Sequence, residues 1–111
     1  MSETHDITQP VLVAVSRFPD AAFWRQNCGS FRSMDGKRVV RATSVEGIAD
    51  IMGLYRGRAI AIETKTKTGK QLNSQKLFQK NFESAGGKYI IARCVADAVS
   101  ALAALSLDAR L

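Results

Sequence analysis

The dipeptide Arg56-Gly57 constrains the fold more than any other feature of the chain. It separates two runs rich in apolar and β-branched residues, 48–55 and 58–66. Two such runs around a pair of turn residues, one a glycine able to take positive φ, predict a tight antiparallel hairpin. A two-residue turn fixes the register, so that Tyr55 faces Arg58 and Asp50 faces Glu63. Alternation with period two puts Glu63 and Lys65 on one face, where Asp50 joins them. Facing Cβ atoms in such a ladder are only about 5 Å apart. Two carboxylates and an ammonium are thereby forced together on strands that otherwise read as interior.

The remaining elements follow from periodicity and punctuation. A first helix is expected from near Thr8, because Pro10 is tolerated in a first turn and the apolar run 11–18 follows; Pro19-Asp20 stops it. Ala21–Arg25 reads as a short strand, and Asp35-Gly36 as a second two-residue turn pairing 31–34 with 37–40. After a basic loop at 67–70, Asn73 or Ser74 can cap a helix to Ala85 with the stripe Phe78, Phe82, Ala85, broadened by Leu77. Gly86-Gly87 ends it, and 88–93 reads as a buried strand. Val95, Val99, Leu102 and Leu105 mark the apolar face of a last helix. The order α-β-β-β-β-β-α-β-α predicts an α/β domain, a central mixed sheet flanked by helices. Residues 1–7 read as a flexible tail and 8–111 as a single domain.

Composition excludes several classes. With 111 residues, 46% hydrophobic, 23% charged, 8 Gly and 2 Pro, the chain is no disordered tail, collagen-like fibre or long coiled coil. The apolar runs fall far short of a membrane span, and the polar, acidic start lacks the basic flank of a signal peptide. Cys28 and Cys94 are too few and too far apart for a disulfide framework or a zinc site. These features predict a soluble cytoplasmic protein. Its net charge of +6 points to a polyanionic partner, with nucleic acid foremost.

Carboxylates facing each other across a ladder repel, and burial would drive one of them to keep its proton. A divalent cation resolves the conflict, since hard oxygen ligands select Mg²⁺ or Mn²⁺. Lys65 beside such a site can orient a water or stabilise charge on a phosphoryl transition state. The bland reading of Asp50, Glu63 and Lys65 is a cross-strand salt-bridge cluster on a solvated face. Taken alone that reading would prevail; the flanking Ile51, Ile60 and Ile62 outweigh it only together with the wider sequence context.

Asp50 followed across a hairpin by Glu63-Thr64-Lys65 resembles the PD-(D/E)XK nuclease superfamily. The segments Gly47-Ile-Ala-Asp50-Ile-Met-Gly53, Gly57-Arg-Ala-Ile-Ala-Ile-Glu63-Thr-Lys65, Gly69-Lys70, Gln75-Lys76 and Gly86-Gly87 are similar to the VRR-NUC (virus-type replication-repair nuclease) pattern. The match spans about residues 20–105. The resemblance implies a restriction-endonuclease-like core and a Mg²⁺-dependent DNA endonuclease of the standalone phage type, with Mn²⁺ as substitute. It implies Asp50 and Glu63 as metal ligands, the Thr64 backbone carbonyl as a further one, Lys65 as the catalytic lysine and Gln75 as a site residue. Gln75 reads equally well as an ordinary first-turn residue. The turn at 25–29, with Asn27, resembles a family segment near the active site.

Ala49 stands where the motif has proline, and the first-helix glutamate ligand has no secure counterpart among Glu3, Asp6 and Gln9. One metal rather than two, or a ligand set completed by Gln9, are both open. From Lys37 to Arg93 there are twelve Lys/Arg against four acids, and Arg56, Arg58, Lys67, Lys70 and Lys76 are the candidate phosphate contacts. The expected substrate is branched DNA such as a four-way junction. The expected unit is a homodimer, with Trp24, Phe23 or the hairpin as interface. A non-catalytic DNA-binding module and a duplex-cutting, restriction-type nuclease are the alternatives.

Overall fold

The computed structural model describes residues 3–26, 30–32, 36–37, 39–41 and 45–108. Helix α1 (Glu3–Ser16) precedes strands β1 (Ala21–Arg25), β2 (Ser30–Arg32), β3 (Val39–Arg41), β4 (Ile51–Tyr55) and β5 (Arg58–Thr64). Helix α2 (Asn73–Ser84), strand β6 (Lys88–Ala92) and helix α3 (Val95–Asp108) complete the chain. The element order is the expected one. Four strands form a mixed sheet, β1-β4-β5-β6, with only the β5–β6 pair parallel. β2 and β3 form a separate antiparallel ribbon, in which Phe31 faces Val40 as a turn at Asp35-Gly36 requires. Asp35 itself lies outside the described residues, as do Asn27 and Cys28.

The sheet is covered on both faces because its strands alternate between two apolar sets. Ile51, Tyr55, Ile60, Ile62, Ile90 and Ala92 pack against Val11 and Val15 of α1 and Ala98, Leu102 and Leu105 of α3. On the other face Ala49, Ala61 and Tyr89 form a smaller cluster with Met52, Phe78, Phe82 and Ile91. Phe78 and Phe82 stack at 5.3 Å, one helical turn apart. The hairpin parity therefore assigns Glu63 and Lys65 to the α2 face, and Thr64 to the face of α1 and α3.

Three details depart from the sequence expectations. First, α1 starts at Glu3 rather than near Thr8, taking in most of the segment read as a tail, and Pro10 lies inside it. Pro10 is on the exposed side, where the carbonyl that loses its partner has water available. Thr8, fully inside the helix, is buried and hydrogen-bonded to Thr64, which ties this part of α1 to the sheet. Second, both residues of the Arg56-Gly57 turn take positive φ, at 52° and 83°. That is the mirror-image turn whose twist suits a hairpin, and it requires the left-handed region twice. Third, α2 has no side-chain N-cap from Asn73 or Ser74; the cap position is Leu72. Its N–H donates instead to Gln75 Oε1 at 2.8 Å, one half of a capping box.

Candidate active site

The β4–β5 ladder closes with Ile51 opposite Ile62. Continued, that register would set residue 49 opposite Thr64, but the chain bends at Asp50 and leaves the ladder. The Asp50 carboxylate takes over the missing hydrogen bond. Its Oδ2 accepts from the Thr64 N–H at 3.0 Å and from the Thr64 hydroxyl at 2.8 Å. The Asp50 carbonyl accepts from the Gln26 N–H at 2.7 Å, so the residue is held from β1 and β5 together. On the opposite edge of β5, the Lys65 N–H reaches the Ala92 carbonyl of β6 at 3.0 Å. The N–H and C=O of one extended residue point to the same edge. The Thr64 carbonyl is thus directed to the side from which Asp50 approaches.

Glu63 is buried, at 4% exposure, in a wall that is otherwise apolar. Its Oε2 accepts from Gln75 Nε2 at 3.1 Å and lies 3.7 Å from Lys65 Nζ. Its Oε1 is buried without a hydrogen-bond partner among the described residues. Burial pushes the Glu63 carboxyl up to about 8 from an ordinary 4.5. That value already includes the neighbouring Asp50 charge, which adds to the rise, and Lys65, which opposes it. Gln75 is fixed at both ends of its amide, accepting from Leu72 and donating to Glu63. Gly47 makes this possible: at φ +78°, a Cβ there would stand 2.2 Å from the Ser74 carbonyl oxygen. Only glycine lets the segment before Asp50 press against the start of α2.

Asp50, Glu63 and Lys65 are therefore brought together, and Gln75, which the sequence left open between site and helix first turn, joins them. The basic candidates divide. Lys67 and Lys70 are exposed in the loop leaving β5, and Lys76 is exposed in the first turn of α2, all at the site's end of the sheet. Arg56 and Arg58 are at the other end of β5, about 17 Å away at strand rise. There the Arg56 guanidinium reaches Asp20 at 4.0 Å and lies over the Tyr55 ring, while Arg58 donates to the Gly86 carbonyl at 3.2 Å. Of the first-helix candidates, Gln9 is exposed on α1; the side chains of Glu3 and Asp6 lie outside the described residues.

Three contributors escape sequence reasoning. Thr8 bonds Thr64 Oγ1 at 2.6 Å from the far face of the sheet; its signal was a polar residue in register with Val11 and Val15. The Tyr89 hydroxyl is buried on the face of Glu63, and burial pushes it up to about 12. Arg93, at the end of β6, donates to three carbonyls of the loop after β5. No spacing rule marks a residue whose partners are backbone.

Among the described residues no group of three His, Cys, Asp or Glu is placed to hold a metal. Two carboxylates and a backbone carbonyl nonetheless suit a cation that keeps several of its waters, as Mg²⁺ does. The partnerless Glu63 Oε1 and the raised carboxyl are features that a bound cation would satisfy. No helix among the described residues is long and apolar enough to cross a membrane. No protein-family model matches the chain, and no curated protein matches it either, so the resemblance rests on these residues alone.

Proposed function

We propose that the chain is a metal-dependent deoxyribonuclease of the VRR-NUC kind, with a PD-(D/E)XK core. One observation carries this reading: two carboxylates, a lysine and a clamped glutamine converge where a buried sheet opens at the ends of β5 and β6. Ligand sites of α/β sheets favour that edge. Asp50 and Glu63 would hold Mg²⁺ or Mn²⁺, with the Thr64 carbonyl beside them. Bound there, the cation would supply Lewis acidity and a water of lowered pKa. Thr64 orients Asp50, and Gln75 keeps Glu63 in place. The Lys65 ammonium stabilises negative charge developing on the scissile phosphate. Lys67, Lys70 and Lys76 supply phosphate contacts that carry no sequence code.

The substrate in this reading is branched DNA, and a two-fold dimer presents two sites to a symmetric junction. The host is a bacterial cytoplasm, the gene a phage or prophage one. The test is incubation with labelled four-way junction, flap and linear duplex in Mg²⁺, Mn²⁺ or EDTA. Metal-dependent cleavage strongest on the junction, and lost in Asp50→Ala, Glu63→Ala and Lys65→Ala, is the expected result. Binding without cleavage in either metal would leave a DNA-binding module instead. Cleavage by Asp50→Ala and Glu63→Ala at the wild-type rate would move the site elsewhere.

A further inference from the structure

Arg93 leaves the end of β6 beside Lys65, on the face that carries Glu63. Its backbone N–H donates to Asp97 Oδ2 at 2.9 Å, which fixes it to the first turn of α3. Its side chain reaches the loop that follows β5. Nη1 donates to the Thr66 carbonyl at 2.5 Å and the Gly69 carbonyl at 2.7 Å, with the Lys67 carbonyl at 3.3 Å. The same loop is closed from inside, since the Gly69 N–H donates to Thr66 Oγ1 at 2.9 Å and to the Thr66 carbonyl at 3.3 Å. Three carbonyl dipoles converging on one cation are the geometry of an ion-binding loop, here filled by a guanidinium. With its carbonyls turned inward, the turn directs the side chains of Lys67 and Lys70 to solvent, where both are exposed. A position where a Gly69 Cβ would stand is 3.7 Å from Lys65 Cδ, so the turn also backs the stem of the site lysine.

We infer that Arg93 is a positioning residue: it shapes the 66–69 turn so that Lys67 and Lys70 are presented to the phosphates of a DNA substrate. This rests on the proposed nuclease reading for the identity of the substrate, but not for the clamp. Without Arg93 the three carbonyls turn to water, and the lysines lose their common placement. Their charge remains, but the cost of ordering them moves to the binding step.

The clamp is tested by amide hydrogen exchange in Arg93→Ala, Arg93→Lys and wild type. The Gly69 amide should exchange at least about tenfold faster in Arg93→Ala, while the Lys65 amide, bonded to β6, keeps its rate. Arg93→Lys, which retains a cation, should fall between. Should Arg93→Ala not fold, Arg93→Gln serves in its place. Unchanged Gly69 exchange overturns the clamp. Presentation is tested by DNA affinity with Ca²⁺ in place of Mg²⁺. Arg93→Ala should weaken binding about tenfold in the wild-type background and less than about twofold in Lys67→Ala/Lys70→Ala, because the effect passes through those lysines. Equal losses in both backgrounds would mark Arg93 as generally structural and overturn presentation. If the wild-type chain binds no DNA, the nuclease reading and the presentation fail together. The clamp is then decided by Gly69 exchange alone.

Discussion

Glu63 keeps its proton to about pH 8 when folded, whereas an unfolded carboxyl releases it near 4.5. Between those values the folded state binds more protons than the unfolded one, so raising the pH drains stability. We predict that the melting temperature of the metal-free protein declines between about pH 5 and about pH 8, and that Glu63→Gln flattens the decline. Calorimetry in EDTA measures both, and a flat wild-type profile would contradict the placement of Glu63. Mg²⁺ at the upper end of that range should recover the lost stability in wild type and not in Glu63→Gln. Gln75 tells a second story at this scale. Its amide serves α2 with one end and the site with the other, so Gln75→Ala should cost about 1 kcal/mol in urea denaturation and also slow cleavage. Loss of stability with no loss of activity would reduce it to a helix cap. The approach of Asp50 to Glu63 was legible from parity, but the two are not the directly facing pair expected, since the ladder ends at Ile51 opposite Ile62. The bend that lets Asp50 cap the Thr64 N–H was not legible, because a strand pattern continues through residue 50 and nothing local interrupts it.

The elements are where the sequence is most transparent. Hairpin turns, helix stops and alternation all point the same way from residue 45 onward, and the β4–β5 register follows from the turn length. The start of α1 was opaque for a definite reason. Proline reads as a boundary, yet a ring on an exposed face costs a single hydrogen bond, and the buried Thr8–Thr64 contact holds that part of the helix to the sheet. The turn itself carries a prediction. Arg56 takes φ 52° without the ease of glycine or asparagine, at a cost of order 1 kcal/mol. Arg56→Asn should therefore stabilise the fold by about 0.5–1 kcal/mol in chemical denaturation. Because the turn is at the opposite end of β5 from the carboxylates, cleavage should not change. Destabilisation would mean that the contacts of Arg56 with Asp20 and Tyr55 outweigh the backbone strain.

At the scale of the molecule, the net charge of +6 is spread over both ends of the sheet, and only part of it surrounds the carboxylates. Composition cannot show that division; it depends on which turn each cation occupies. The salt dependence of DNA binding separates the groups. Removal of one phosphate-contacting lysine should reduce the slope of log K against log salt by about 0.9 on duplex DNA. We predict that reduction for Lys67→Ala or Lys70→Ala, read from fluorescence anisotropy across a salt series. An unchanged slope would leave those lysines as solvated charge.

The hydrogen bonds from Thr8 to Thr64 and from Thr64 to Asp50 run through the sheet, from a helix on one side to a carboxylate of the opposite cluster. Apolar residues of α1, the sheet and α3 surround that polar thread. The genetic map of this protein would consequently mislead. Substitutions at Thr8, 56 positions from Thr64 along the chain, would score in a loss-of-function screen beside those of the site itself. A buried contact between a helix and the sheet would be counted among the residues that act on the substrate.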